Sequence, residues 1–454
     1  MTYLTVPFLT YVFAVLPVWL PLLVVDLTAM YLLLFRERFD PRTFVFWVAI
    51  VFIIPFGGFL LYLVFGCSLF MEADGRRKHG SDQEFLTGDG DPVPEGDSRL
   101  SSILSDSGAD VYTSGNDVRL FWSIERSTGI ILEQMRSATE SIHLEMDRIS
   151  SFRFTATIQE VLCEKARQGL DVRVITSTLG FGRTKGLRRM RAAGVRHTTF
   201  HTRLHAMFSF KTVNRCLRAV LVVDGKRAFT GIGAGVEMIG RAAMRLDRRF
   251  LADWAYATGE RIAVPADASP CTGGCGVQMV SSGPDSPGLP MIHGYSEIIS
   301  GARERLYITL PYLIPADDMY NAIKQAAISG TDVRILIPTK CRHWYQAWNS
   351  LAASIPLIDA GARVFFAPKA LVKCLVVADG RVCTVGSCVF NTHSPRVDYG
   401  ENAIVFSEEV AMAAEREFLS ELDAATECRS DDYRTRSFSD KLRITIARMF
   451  MFLN

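Results

Sequence analysis

The sequence predicts an α/β protein in which two homologous halves are packed face to face and follow a two-helix transmembrane hairpin. Three observations support this fold class. Segments of the first half recur in order in the second, apolar strand-like runs alternate with helical stretches from Val111 onward, and two long uncharged runs stand at the N-terminus. Alternating strands and helices are typical of a parallel or mixed sheet flanked by helices.

The uncharged runs come first along the chain. Residues 1–25 and 44–65 contain no charged side chain, and each run is long enough for a membrane-spanning helix, which needs about 20 residues. A secretory signal is the alternative for the first run, but that run has no basic start and a second apolar span follows it. We therefore expect residues 1–70 to form a hairpin anchor in the cell membrane. Basic residues flank the second span on both sides, so the positive-inside rule alone does not fix the orientation; we favour a cytoplasmic main domain.

The segments that flank the main domain differ in composition. Residues 71–110 become rich in Gly, Asp, Ser and Pro after Lys78, which predicts a polar linker. Residues 431–454 are predicted to form a basic amphipathic tail.

The internal repeat defines the two halves. Residues 137–145, 169–175 and 193–196 recur as residues 301–309, 330–336 and 360–363, at offsets of about 160 residues. Chance similarity at several ordered points is improbable. We expect a first half at residues 111–265 and a second half at residues 266–430.

Bulk properties exclude some function classes. The chain has 454 residues, 49% of them hydrophobic, and a formal charge of +2, so charge gives no reason to expect a nucleic-acid partner. Among the ten cysteines only Cys271 and Cys275 lie close together, and no second pair completes a zinc site. We expect no metal and no cofactor, and we expect the other cysteines to be mostly small core residues.

A strand-like segment ends in Asp-Gly once in each half. Residues 217–225 contain Asp224, and residues 372–380 contain Asp379. Both resemble the catalytic strand of the phospholipase D superfamily, whose motif is His-x-Lys-x4-Asp. The motif's Asp is present in both copies, but its His and Lys are replaced by Leu217 and Ala219 in the first copy and by Val372 and Cys374 in the second.

The resemblance extends along the whole chain. Residues 38–41, 55–66, 142–145, 253–260, 280–285 and 311–315 look like a bacterial cardiolipin synthase of the phospholipase D type. It implies two phospholipase D-like halves and membrane phospholipids, phosphatidylglycerol or cardiolipin, as partners. In that family two phosphatidylglycerols give cardiolipin and glycerol through a phosphohistidine, while the two Lys hold the phosphate. Ser387 and Glu401 keep further family positions.

At the replaced positions, no side chain is an obvious nucleophile, proton donor or phosphate ligand for the family reaction. On a strand, positions i and i+2 share a face, so Leu217, Ala219, Leu221 and Val223 are expected to form one apolar face. Cys374 would act as a nucleophile only with a lowered pKa. His197, His201 and His205 precede the first strand and are the remaining candidate bases.

The family also has a longer segment between Gly240 and Asp253, where this chain has about a dozen arginine-rich residues. Two functions remain open. The first is a cardiolipin synthase-like phosphatidyltransferase of impaired activity, working through other residues. The second is a non-catalytic phospholipid-binding or regulatory pseudoenzyme that partners an active paralogue.

Overall fold

The computed structural model describes most of the chain from residue 69 to residue 449 and parts of the N-terminal segment. The described residues are 24, 25, 27, 28, 30–35, 41–54, 57–62, 69–122, 124–147, 153–177, 185–200, 216–231, 235–264, 273–341, 343–369, 371, 374–389, 394–431 and 437–449. They divide into two compact units; along the chain, the described residues up to Asp74 belong to the first unit and those from Gly75 onward to the second.

The first unit contains the predicted hairpin. Helix α1 spans Pro41–Ile53 and helix α2 spans Gly57–Leu61. Its core is a small apolar cluster of Leu33, Trp47, Val51 and Tyr62. Within the described residues, no helix has the length and apolar character needed to cross a bilayer. The transmembrane hairpin is therefore not confirmed, and most of its first run lies outside the described residues.

The second unit is an α/β structure with fifteen strands in one sheet. The strands of the first half are β1 Tyr112–Phe121, β2 Ser141–Met146, β3 Asp171–Thr176, β4 Arg196–Thr199, β5 Val220–Val223, β6 Arg227–Thr230 and β7 Gly235–Ile239. Those of the second half are β8 Cys275–Ser282, β9 Arg305–Thr309, β10 Asp332–Pro338, β11 Arg363–Ala367, β12 Cys374–Ala378, β13 Val382–Gly386, β14 Gly400–Phe406 and β15 Thr426–Cys428.

Twelve α-helices accompany these strands among the described residues from residue 69 onward. They are α3 Leu69–Leu86, α4 Ser98–Asp106, α5 Ile124–Ser137, α6 Arg153–Arg167, α7 Lys185–Ala192, α8 Arg241–Thr258, α9 Pro290–Gly301, α10 Asp317–Ile328, α11 Trp344–Ile358, α12 Ser394–Val397, α13 Glu408–Leu422 and α14 Phe438–Met449.

The strand order repeats between the halves. In space the first half runs β1-β7-β6-β5-β2-β3-β4, and the second runs β8-β14-β13-β12-β9-β10-β11 with β15 added at the edge. Each strand of the first half thus has one counterpart in the second. In both halves the motif strand, β5 or β12, lies antiparallel to the strand that follows the first helix, β2 or β9. The sequence repeat is therefore a repeat of topology.

The two halves share a core. Val222 and Val236 of the first half belong to one buried cluster with Val377 and Val405 of the second. One buried cluster therefore contains side chains from both halves. In addition, β1 pairs antiparallel with β8, so the halves also form one continuous sheet, which the repeat alone did not predict.

The segment expected to be a polar linker, residues 71–110, is largely helical. It contains most of α3 and all of α4, and its polar Lys78 and Asp82 are buried together with the apolar Phe85 and Leu104. Composition was misleading here because Lys78 and Asp82 are buried together in an ion pair, while most other charged side chains of the segment stay exposed on the outer faces of its helices and turns.

Candidate functional site between the two halves

Each motif Asp closes a tight turn between two strands. Asp224 and Gly225 after β5, and Asp379 and Gly380 after β12, all have φ between 52° and 64°. Asn, Asp and Gly tolerate this left-handed region best, and two such residues in sequence form the hairpin turn that suits twisted strands. The turn explains why Asp-Gly stands in both copies.

The carboxylates of these Asp residues accept hydrogen bonds from backbone N–H groups. Asp224 accepts the N–H groups of Thr139, Glu140 and Ser141. Burial alone would raise the pKa of Asp224, but these donors hold it below its ordinary value.

Asp379 accepts the equivalent N–H groups of Arg303, Glu304 and Arg305 at 2.8–2.9 Å. In both halves the motif Asp therefore joins the motif strand to the start of the neighbouring strand, a structural role that needs neither His nor Lys.

The first-copy positions of the missing catalytic groups lie just before β5. Leu217 and Ala219 are half-buried, and the N–H of Leu217 donates to the carbonyl of Tyr399 at 2.8 Å. Strand β5 itself begins at Val220. Of the residues predicted to form one apolar strand face, only Leu221 and Val223 therefore lie in the strand, and both pack in the core of the first half.

In the second copy, Val372 lies outside the described residues and Cys374 is buried at the start of β12. The Cys374 Sγ is 3.2 Å from the hydroxyl of Tyr295. Burial raises the pKa of this thiol far above its ordinary value. Cys374 is thus a neutral thiol, without the activation that a nucleophile needs.

Neutral hydrogen bonds complete the surroundings of Cys374. The Tyr295 hydroxyl donates to the carbonyl of Cys388 at 2.6 Å and accepts from Asn402 Nδ2 at 2.8 Å. Asn402 Oδ1 accepts the N–H of Cys388 at 2.9 Å. These groups therefore satisfy one another's hydrogen-bonding capacity in a buried site.

The two retained family positions, Ser387 and Glu401, lie side by side. The N–H of Ser387 donates to the Glu401 carbonyl, and the N–H of Glu401 donates to Ser387 Oγ, both at 3.1 Å. The Glu401 carboxylate accepts a hydrogen bond from Ser281 Oγ at 2.7 Å. Burial raises its pKa to about 7, against the opposing effect of Arg218.

Next to Glu401 is a buried group of ionisable side chains, here called the ion cluster. Its centre is Arg218, the residue between the two replaced motif positions. Arg218 Nη1 donates to Asp253 Oδ2 at 2.6 Å and Nη2 to Asp285 Oδ2 at 3.1 Å, while Nε is 3.6 Å from Glu401 Oε2. The members are Lys78, Asp82, Glu145, Arg218, Arg249, Asp253, Asp285 and Glu401, all of them buried.

Lys78 is the second cation of the cluster. Its Nζ lies 2.6 Å from Asp82 Oδ2, 2.6 Å from Asp253 Oδ1 and 2.9 Å from Asp285 Oδ2. The three Asp have the spacing that a metal ion requires, but the ammonium already lies among them. Burial would lower the pKa of Lys78, yet the three carboxylates raise it above its ordinary value, so Lys78 stays charged.

Aromatic rings and a third cation enclose this ammonium. The ring centroids of Phe200, Tyr256 and Tyr399 lie 5.5–5.9 Å from Lys78 Nζ, within the range of cation–π attraction. Arg249 Nη1 donates to Asp82 Oδ2 at 2.7 Å. Three cations thus meet three aspartates.

The short arginine-rich segment has a structural explanation. It forms α8, and Arg241 pairs with Asp91, Arg245 with Asp110 and Arg249 with Asp82. Arg248 donates to the carbonyl of Thr87. These arginines hold the segment 82–110 against the first half.

Three further groups that could act as a nucleophile or a base have pKa values shifted towards their neutral forms. Cys216 Sγ donates to Glu145 Oε1 at 2.7 Å, and burial raises the pKa of both groups well above ordinary values. Burial, together with Arg191, lowers the pKa of His197 to about 4. His197 lies in the edge strand β4, where its ring contacts Thr176 and Arg191. His201 and His205 lie outside the described residues.

Sequence reasoning therefore identified the motif positions but missed the ion cluster. Glu145, Asp253 and Asp285 stand in segments that resemble the family, yet their role as partners of Arg218 and Lys78 was not predicted. The one available signal was Arg218, a charged residue in the otherwise apolar run of residues 217–223.

Comparison with known proteins agrees with this architecture. Residues 295–422 match the family model described as cardiolipin synthase, PLD-like domain. The crystal structure of phosphatidylserine synthase from Haemophilus influenzae Rd KW20 superposes with a TM-score of 0.56 at 9% identity, covering 79% of this chain and 97% of that one. The fold is accordingly an α/β fold of the phospholipase D-like type.

Curated relatives span nearly the whole chain. A cardiolipin synthase from Clostridium perfringens strain 13 is 26% identical, covering 91% of this chain and 94% of its own length. A cardiolipin synthase from Staphylococcus aureus strain Mu50 is also 26% identical, with 94% of each chain covered. The predicted resemblance to bacterial cardiolipin synthases of the phospholipase D superfamily is confirmed.

Proposed function

We propose that this protein is a non-catalytic relative of cardiolipin synthase that acts at the membrane, as a phospholipid-binding or regulatory partner of an active paralogue. The observation that carries the proposal is the ion cluster. Its cations, which lie beside the replaced motif positions, are already neutralised by Asp82, Asp253 and Asp285.

The family reaction needs groups that these positions lack. A nucleophile must attack phosphorus, an acid must protonate the leaving alkoxide, and cations must bear the developing charge. Losing the nucleophile from a catalytic unit costs on the order of 10⁴–10⁶ in rate. Leu217 and Ala219 supply none of these groups, and Cys374 is a neutral buried thiol.

Retention of the two motif Asp residues also supports the proposal. Asp224 and Asp379 bind backbone N–H groups that hold the turns and the neighbouring strands together. Loss of catalysis removes the need for His and Lys but leaves this structural need unchanged.

The first unit supports action at the membrane. Large apolar side chains are exposed there, among them Leu27, Phe35, Phe52 and Ile53. Exposed apolar surface of this extent marks contact with lipid or with another protein, and we assign these residues to membrane association.

The test is a cardiolipin synthesis assay. The purified full chain is reconstituted into phosphatidylglycerol vesicles, and cardiolipin and free glycerol are followed. The expected result is no turnover above protein-free vesicles. Two controls accompany it: an active cardiolipin synthase in the same vesicles, and a variant carrying Leu217→His, Ala219→Lys, Val372→His and Cys374→Lys, whose folding is checked by its thermal transition.

Turnover by the unmodified chain, purified from a host without its own cardiolipin synthases, would contradict the proposal. In that event Arg218→Met and Cys374→Ala variants would show whether the activity comes from the ion cluster or from the second motif.

A further inference from the structure

The C-terminal helix α14 has a buried face. Ile444 and Ala447 are buried, and the Ala447 carbonyl accepts a hydrogen bond from Asn349 Nδ2 of α11 at 3.0 Å. The guanidinium of Arg443 lies 5.9 Å from the ring centroid of Trp348, also on α11. Helix α14 is thus attached to the second half along one side.

The opposite side of α14 is apolar and exposed. Phe438, Leu442 and Ile446 are 82%, 48% and 39% exposed. They follow one another at intervals of four residues, so they form one stripe along the helix, here called the C-terminal stripe. At 3.6 residues per turn this stripe points away from Ile444 and Ala447.

Charged side chains flank the stripe. Lys441 and Arg443 are exposed on its two sides. The helix contains three basic residues and one acidic residue, Asp440, whose carboxylate is 3.4 Å from Arg443. An apolar stripe bordered by Lys and Arg is the pattern of a helix lying in the interface of an anionic bilayer.

We propose that the C-terminal stripe docks on the surface of an anionic phospholipid bilayer, with the helix lying parallel to the membrane. The charge pattern favours this occupant over a neutral or basic protein surface. Trp344, exposed one turn before Trp348 at the start of α11, adds an aromatic side chain of the kind enriched at membrane interfaces.

Helix α13 provides a contrast within the same half. It also exposes apolar side chains, Met412 and Leu419, but the helix contains five glutamates and one arginine, so its net charge is negative. Anionic lipid would repel this helix, so Met412 serves as a matched control position.

The test is amide hydrogen exchange of the full chain in lipid nanodiscs. Discs of phosphatidylcholine alone are compared with discs containing one third phosphatidylglycerol. We expect the amides of residues 438–446 to exchange on the order of tenfold more slowly in the anionic discs.

Three variants sharpen the test. Phe438→Ser with Leu442→Ser should abolish the protection, and Lys441→Gln with Arg443→Gln should abolish its dependence on phosphatidylglycerol. Met412→Ser should leave both unchanged. Unchanged exchange in α11 shows that each variant keeps its fold.

Equal exchange in the two kinds of disc, or protection that survives both double substitutions, would overturn the proposal. Protection that grows with the number of protein copies per disc would also overturn it, because the stripe would then bind a second copy of the chain. Neither result depends on catalysis, so failure here leaves the proposed function untouched.

Discussion

The two halves hold the same Asp-Gly turn in the same place but differ in what surrounds the motif strand. In the first half, Arg218 lies next to the replaced positions and pairs with Asp253 and Asp285. In the second half, Cys374 lies at a replaced position and shares neutral hydrogen bonds with Tyr295, which also contacts Asn402.

This difference separates the structural requirement of the family motif from its catalytic requirement. The Asp serves the fold and persists in both halves. In the family the His and Lys serve the chemistry. Here the surroundings of their positions differ: the ion pairs of Arg218 lie beside Leu217 and Ala219 in one half, and Cys374 takes part in neutral hydrogen bonds in the other. The halves should therefore respond very differently to substitution beside the motif and similarly to substitution of the motif Asp.

The largest effect is expected from Arg218→Met. The change leaves Asp253, Asp285 and Glu401 without their central cation in a buried site, which typically costs about 3–5 kcal/mol of unfolding free energy. Denaturant unfolding measures the loss. The control is Arg99→Met, because Arg99 is exposed and pairs with Glu297, and such a pair contributes about 1 kcal/mol or less. Equal losses in the two variants would show that the ion cluster is not structural.

The next effect concerns pH. Burial raises the pKa of Glu401 from 4.5 to about 7, so the folded state holds this proton more tightly than the unfolded state. The stabilisation is complete below the ordinary pKa and is lost as pH rises towards 7, by about 3 kcal/mol. Glu401→Gln should remove this part of the pH dependence between pH 4.5 and 7, whereas Glu297→Gln should not. Parallel stability curves for Glu401→Gln and the parent would contradict the assignment.

Substitution of the motif Asp should cost the same in either half. Asp224→Asn and Asp379→Asn keep a residue that tolerates positive φ but lose a charged acceptor for three backbone N–H groups, which costs about 2 kcal/mol. Chemical denaturation of both variants makes the comparison. A large loss in one half and none in the other would refute the shared structural role.

The smallest effect is expected from Cys374→Ala. Tyr295 keeps its bonds to Cys388 and Asn402, and only a small buried sulfur is lost, so we expect about 1 kcal/mol. Thermal unfolding provides the measurement. A loss as large as that of Arg218→Met would mean that the second motif strand depends on Cys374 far more than its neutral contacts suggest.

Much of the fold could be predicted because the repeat constrains it. Segments such as 169–175 and 330–336 recur, and each pair must form equivalent strands, here β3 and β10. The pairing of β1 with β8 could not be predicted from the repeat, since it joins the halves rather than repeating within them.

The candidate site could be predicted only at its motif positions. Lys78 stands in a segment whose composition is typical of a linker, and its partners Asp253 and Asp285 lie 175 and 207 residues further along the chain. Charged residues are expected at the surface unless they are paired, and the pairing becomes visible only once the chain is folded.

Lysine acylation tests the central claim most directly, that the cations between the halves are neutralised internally and closed to lipid phosphate. The native full chain is treated briefly with a water-soluble amine-acylating reagent, and the modified lysines are located by mass spectrometry. Lys226 and Lys369 are exposed and serve as internal standards. The account predicts that both react while Lys78 stays unmodified until the chain is unfolded. Acylation of Lys78 in the native protein at the rate of Lys226 would contradict it.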